Sequence, residues 1–232
     1  MPIPTYLAMT AAEISQNAHL PDKIGWMACH FSPYSTGLSN CPRQLPPGSL
    51  LILNDRTPVR GHDPRAVSDT LCQLARQFAC DGILLDLQRP GAKETARIVA
   101  AICDAAPCPV AVTEKYCQGT NCAVFLSPPL HIPLEEFLAP WQDRKIWLEA
   151  AVEDICFTVT KNGCTVGPFS CMPTNFPHKS DESFCRYHIA AEEDAIHFSL
   201  RRTKEDVNAL IAAAENIHCC VGLYQQLKEP GS

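Results

Sequence analysis

The fold this sequence predicts is α/β: a compact, partly eroded (β/α)8 TIM barrel with a β-hairpin insertion after its sixth strand. Three observations predict it. The chain has 232 residues, 46% of them hydrophobic, which suits one large core better than two small ones, so residues 1–232 are expected to form a single barrel domain. Apolar runs of about five to seven residues recur with turn signals between them. Several of those runs lead into segments of helical period, the pattern of parallel βα units. Up to eight such strands can be counted, enough to close a barrel, with an open doubly wound sheet as the alternative.

The first strand is expected over residues 24–30 and the second over 50–54, set off by Pro46-Pro47-Gly48. Residues 65–79 read as a helix, with Val67, Leu71, Leu74 and Phe78 at steps of three and four, and Asp63-Pro64 as its cap and first-turn proline. The third strand, 82–87, precedes a helix over 93–105 whose Ile98, Val99 and Ile102 form one face. Strands over 110–113 and 123–126 follow with too little chain between them for a full helix. A short helix over 133–141 then leads to the sixth strand, 146–150.

Residues 153–190 break this rhythm. The alternating run 156–166 carries Asn162-Gly163 at its centre, the strongest short-range hairpin signal, and 184–190 supplies another strand for the same insert. The seventh barrel strand is expected over 196–200. A helix over 203–215 follows, opened by Thr203 and Asp206, and residues 219–223 form the eighth strand.

Composition narrows the function classes. A net charge of −6 and a pI near 5.7, without a cluster of Lys and Arg among aromatics, argue against a nucleic-acid partner. No apolar run approaches a membrane span, and residues 1–6 lack the pattern of a leader, so no membrane association and a cytoplasmic location are expected. Fourteen cysteines are present without a Cys-x-x-Cys pair. Cys103/Cys108 and Cys117/Cys122 stand at five-residue offsets, wider than structural zinc pairs. Cys29, Cys72, Cys156, Cys219 and Cys220 sit within apolar segments and read as small buried hydrophobes. No metal is expected. Neither Gly-x-Gly-x-x-Gly nor a P-loop pattern occurs, so no cofactor is expected either.

Barrel enzymes place their chemistry at the carboxyl ends of the strands. Here those ends are polar, and they supply the candidate site. Asp86, Glu114 and Glu149 are the candidate catalytic carboxyls, and Gln88, His30, Tyr34, Asn54, Arg89, Arg201 and Tyr224 the candidate binding residues. Ser127 and Asp55 lie at strand ends too. Period-two alternation puts Gly82, Leu84, Asp86 and Gln88 on one face of their strand, so Asp86 and Gln88 should point into the mouth. Trp26 and Trp147, mid-strand, are expected to fill the core, whereas Tyr34 and Tyr224 are candidate stacking platforms at the mouth. The alternative for Glu114 and Glu149 is an ion-pair plug with Arg56, Arg89 or Arg201.

The segment Asp81-Gly82-Ile83-Leu84-Leu85-Asp86-Leu87-Gln88 resembles the signature of family 18 glycoside hydrolases, chitinase-like (β/α)8 barrels with the pattern Asp-Gly-x-Asp-x-Asp-x-Glu. Asp81, Gly82 and Asp86 coincide with that pattern. Leu84 stands at its first internal Asp, and Gln88 stands where the family has its catalytic acid. The resemblance implies a barrel in which the acid protonates the leaving oxygen while the neighbouring Asp orients the substrate's acetamido group, the internal nucleophile. An amide has no titratable proton, so Gln88 can bind a glycosidic oxygen but cannot protonate it. The family carries the motif on its fourth strand, and the count above places it on the third. The expected function is therefore a glycoside hydrolase-like barrel that binds a carbohydrate or similar polar small molecule at its mouth without the usual acid. For hydrolysis, Glu114 or Glu149 would replace that acid and work with Asp86. The alternative is a scaffold that uses the 153–190 insert to bind a partner or to form a homodimer.

Overall fold

The computed structural model describes residues 3–17, 19–89, 93–167 and 172–228. In chain order the strands begin with β1 (Thr5–Met9), β2 (Ile24–Phe31), β3 (Leu38–Ser39), β4 (Leu50–Asn54), β5 (Gly82–Asp86), β6 (Val110–Thr113), β7 (Ala123–Leu126) and β8 (Ile146–Glu149). They continue with β9 (Glu153–Thr160), β10 (Gly163–Val166), β11 (His178–Ser180), β12 (Cys185–Ala191), β13 (Ala195–Arg202) and β14 (Ile217–Leu223). The helices are α1 (Ala11–Gln16), α2 (Pro64–Gln77), α3 (Lys93–Ala105), α4 (Leu134–Leu138), α5 (Lys204–Ala213) and α6 (Tyr224–Leu227).

Eight parallel strands close on themselves in the order β1, β2, β4, β5, β6, β7, β8, β14, because β1 pairs with both β2 and β14. The two-residue β3 adds an antiparallel flap to β2. The barrel is eroded where the chain is short. Only β3 and loops connect β2 to β4, and a single 3-10 turn, Glu114–Tyr116, lies between β6 and β7.

The membership of the barrel corrects the sequence count in two places. Thr5–Met9 is its first strand, so the segment expected third is fourth and the segment expected sixth is seventh. The insertion therefore follows the seventh barrel strand. The segment expected as the seventh, within β13, belongs instead to a separate antiparallel sheet ordered β10, β9, β13, β12, β11. Its pattern explains this. Ile196, Phe198 and Leu200 alternate with His197, Ser199 and Arg201, as a strand half-exposed in an antiparallel sheet does, whereas the barrel strands are near-continuous apolar runs buried on both sides. The expected hairpin is present as β9 and β10 around Asn162-Gly163, with Thr160 opposite Gly163, and the insert's sheet runs on to Arg202.

Two apolar layers hold the barrel. Tyr6, Ala8, Leu50, Ile52, Leu84, Phe125, Trp147 and Val221 fill its interior. Leu51, Leu53, Ile83, Leu85, Val112 and Leu148 face outward into a second buried cluster, which includes Val67, Leu71 and Ala75 of α2 and Ile98, Val99 and Ile102 of α3. Asp63 caps α2 by accepting from the Arg65 amide, and Thr203 with Asp206 forms a capping box on α5.

The first two motif residues build the closed end of the barrel. Asp81 accepts hydrogen bonds from the Tyr6 hydroxyl at 2.7 Å and from Lys23 Nζ at 2.5 Å, tying β5 to β1. Burial opposes ionisation of Asp81, yet these donors hold its carboxyl below the usual range. Gly82 leaves room for Trp147: a Cβ there would lie 2.6 Å from Trp147 Cη2 and 3.0 Å from the Pro109 carbonyl oxygen.

Candidate functional site

Strand β5 delivers Asp86 to the open end of the barrel on the same face as interior Leu84. Strand β8 delivers Glu149 to the same place. Both line one small cavity of about 60 Å³, walled by Ala8, Met27, Ile52, Leu84, Phe125 and Val221. In that apolar setting burial pushes the Asp86 carboxyl up, reinforced by the charge of Asp55, while a hydrogen bond from Gln88 and the charge of Lys115 oppose the rise. Burial also pushes Glu149 up. Asp86 and Glu153 add to that effect; a hydrogen bond from Ser127 and the charge of Arg202 oppose it. The two carboxyls thus share one cavity, and the charge of Asp86 adds to the rise of Glu149.

Gln88 is fixed from several sides. Its Nε2 donates to Asp86 Oδ1 at 2.6 Å, and its backbone N–H donates to buried Asp55 at 2.9 Å. The Arg89 N–H donates to the other oxygen of Asp55 at 2.6 Å, while the Arg89 side chain donates to the carbonyls of Asp55 and Arg56. From β6, the Thr113 hydroxyl donates to the Leu87 carbonyl at 2.9 Å. The loop after β5 is therefore fastened to the loops on either side, which presets the Asp86–Gln88 geometry.

Beside the carboxyl cavity lies a groove of about 390 Å³. Gln88, Thr113, Glu114, Lys115 and Gln118 give it polar groups, and Phe137 and Trp141 give it aromatic surface. Phe125 borders both spaces. Ser127, on the groove wall, donates to Glu149 Oε2, so the two spaces share a hydrogen-bonded rim. The groove falls within the roughly 300–1,000 Å³ typical of small-molecule sites, whereas the carboxyl cavity is too small for a sugar ring.

Of the residues expected at the site, the structure brings together Asp86, Gln88 and Glu149, with Glu114 on the groove wall. The others are engaged elsewhere. His30 Nδ1 meets the Ala28 carbonyl oxygen of its own strand at 3.0 Å. Asn54 donates to the carbonyls of Met27 and Cys29, spanning the bulge in β2. Tyr34 is 96% exposed. Arg89 staples loops as described, and Arg201 forms a two-point pair with Asp154 on the inserted sheet. Tyr224 is buried and donates to Asn17 Oδ1 at 3.0 Å. In place of the ion-pair plug given above as the alternative, Arg89 serves carbonyls, Arg201 serves Asp154, and Glu149 is held by Ser127.

Sequence reasoning placed Ser127 and Asp55 at strand ends without giving them a role at the site, and it passed over Lys115, Gln118, Phe137 and Trp141. Ser127 and Asp55 immediately follow β7 and β4, so the strand-end rule reaches them. Phe137 and Trp141 come from α4 and the turn Ala139–Trp141, which only folding brings to the groove.

The fold and site define a (β/α)8 barrel with an antiparallel sheet inserted after its seventh strand and a carboxyl pair in its mouth. No protein-family model matches the chain, and no curated protein matches it. Among solved structures it is similar to the spore cortex-lytic enzyme SleL of Bacillus cereus, with a TM-score of 0.58 and 8% identity over 99% of this chain and 72% of that one. It is also similar to the spore cortex-lytic enzyme SleL of Bacillus megaterium QM B1551, with a TM-score of 0.53 and 10% identity over 95% of this chain and 70% of that one. At such identities the likeness establishes the shared fold.

Proposed function

We propose that this barrel binds a carbohydrate at its C-terminal mouth, as a distant relative of family 18 glycoside hydrolases that lacks the usual proton donor. One observation carries the reading: the Asp86–Gln88 pair ends β5, the fourth barrel strand, which is the strand on which that family carries its signature. The fold shared with two cortex-lytic enzymes supports it.

Each group has a part in that reading. Gln88 spends one N–H on Asp86 and keeps its carbonyl oxygen and second N–H for a sugar hydroxyl or glycosidic oxygen. Phe137 and Trp141 offer flat apolar faces to a pyranose ring, and Glu114, Lys115 and Gln118 bond its hydroxyls. Position 88 has no proton to give. Glu149 is the carboxyl beside Asp86 that burial keeps protonated to higher pH, and any acid step in this mouth falls to it.

The test is binding and turnover together. A panel of amino sugars and their oligosaccharides is titrated calorimetrically, bound ligand is located in crystals, and Gln88→Glu is assayed on aryl glycosides. Expected are a bound sugar touching residue 88, and glycosidase activity in Gln88→Glu at least tenfold above the wild-type protein, a gain of about 1.4 kcal/mol in transition-state stabilisation. A bound sugar that makes no contact with residue 88 would show the motif match to be accidental.

A second reading has its own observation. Val159, Val166, Ile189 and Ile196 stand on one face of the inserted sheet and remain exposed, Val166 by 76%. A scaffold that docks a protein partner, or a second copy, through that face would use them. Sedimentation of the wild-type chain against Val166→Lys tests the second-copy form of this reading: a dimer through that face should dissociate in the variant, and a wild-type chain that sediments as a monomer rules that form out.

A further inference from the structure

The thiols of Cys29 and Cys41 lie 3.8 Å apart, sulfur to sulfur, although the residues are twelve positions apart in the chain. Cys29 is fully buried on β2, just past the bulge that Asn54 holds by its bonds to the Met27 and Cys29 carbonyls. Cys41 is half-buried and borders a groove of about 1,000 Å³ outside the barrel, walled on one side by Ala11, Ile14 and Ser15 of α1. Its neighbour Asn40 is anchored, because Trp26 Nε1 donates to the Asn40 carbonyl at 2.8 Å. Both sulfurs are therefore presented by held backbone. Closing the remaining gap to a bond asks for side-chain rotation more than for refolding.

We propose that Cys29 and Cys41 form a reversible dithiol–disulfide pair, oxidised by small thiol-derived disulfides that reach Cys41 through this groove.

The chemistry assigns the order of events. The Cys29 S–H hydrogen bond favours the Cys41 thiolate, outweighs the opposing effect of burial, and lowers the pKa of Cys41, while the same bond together with burial pushes Cys29 up. Burial drives other cysteines the opposite way from Cys41, Cys80 and Cys220 to about 12 and Cys108 to about 11. Those are inert packing groups. Cys41 thiolate attacks one sulfur of the small disulfide, forming a mixed disulfide and releasing one thiolate, which takes up a proton from solvent. Cys29 then loses its proton and attacks the Cys41 sulfur; the protein disulfide forms and the second small thiol leaves. Two electrons pass from the protein to the small disulfide, which ends as two thiols. Arg43 lines the same groove and gives it a positive charge suited to an anionic peptide disulfide such as oxidised glutathione.

The wild-type protein needs no substitution for the test. It is incubated with oxidised glutathione, its free thiols are alkylated under denaturing conditions, and non-reduced peptides are mapped by mass. The expected result is a cross-linked pair containing Cys29 and Cys41, lighter by two hydrogens, and reopened by reductant. Exposed Cys164, with no thiol bonded to it, is the internal control and should carry glutathione alone. In Cys29→Ala the glutathione should stay on Cys41, and in Cys41→Ala residue 29 should remain a free thiol. The proposal is overturned if wild-type Cys41 keeps its glutathione, if it stays unmodified while Cys164 reacts, or if Cys29 is modified when Cys41 is absent.

Discussion

Glu149 illustrates how a single residue's surroundings set its chemistry. It ends a strand whose neighbours are apolar, faces Asp86, and is bonded by the Ser127 hydroxyl, with burial as the largest influence on its carboxyl. A carboxyl raised in the folded state binds more protons there than in the unfolded chain, so stability falls as pH climbs from the ordinary carboxylate range through the raised folded value. The cost of ionisation is absent below that window and fully present above it. Glu149→Gln keeps an oxygen for Ser127 and removes the charge. Its stability relative to the wild-type protein is therefore expected to rise with pH, with a gain on the order of 1 kcal/mol at neutral pH and little or none at about pH 4. Urea unfolding at a series of pH values reads this directly. A stability difference that does not change with pH would show that Glu149 ionises in the fold as freely as in water.

At the scale of elements, the sequence was most legible where strands are apolar on both faces. The strands β4, β5, β6 and β7 all lie within or close to their expected bounds because each is an uninterrupted buried run. It was least legible at β1, five residues that follow Pro4 and show too little periodicity to stand out beside longer runs. The candidate site divides along the same line. Asp86, Gln88 and Glu149 were readable because a strand end fixes where a side chain points, whereas Tyr34 and Phe137 depend on loops and short helices whose paths no period encodes. Gly82 shows how one motif residue serves its element. Its missing Cβ is space taken by Trp147, which is 1% exposed and has nowhere to retreat, and the Pro109 carbonyl closes the other side. Gly82→Ala is expected to cost about 2–3 kcal/mol through overpacking. The urea midpoint should fall while the m-value holds. A cost below about 0.5 kcal/mol would mean that the barrel floor yields where the packing says it cannot.

For the whole molecule, the question is what makes the barrel and the inserted sheet one structure. Arg202, at the end of β13, is nearly inaccessible and lies at the join. Its guanidinium donates to the carbonyls of Pro128 and Pro129, beyond β7, and to those of Ser183 and Phe184, before β12. One side chain thus ties the insert to the loop that begins with Ser127, the residue bonded to Glu149. Burial lowers the Arg202 pKa, partly offset by the charges of Glu153, Cys185, Asp206 and Glu149, yet its recorded hydrogen bonds go to backbone oxygen. Arg202→Met leaves those four oxygens without their donor and removes a positive charge from beside Glu149; a loss of about 3–5 kcal/mol is expected, comparable to breaking a buried ion pair. Lysine keeps the charge but cannot span carbonyls on both sides of the join, so Arg202→Lys should recover only part of the loss. The two variants also report on coupling. All three tryptophans, Trp26, Trp141 and Trp147, lie outside residues 153–202, so fluorescence follows the barrel while far-ultraviolet dichroism follows both sheets. In the wild-type protein the two signals should change together; in Arg202→Met the dichroism should begin to change first as the insert releases. Coincident transitions at an unchanged midpoint in Arg202→Met would mean that the apolar contacts of Leu130 with Cys185 and Leu200 suffice to hold the insert, and that the buried arginine is not what joins it to the barrel.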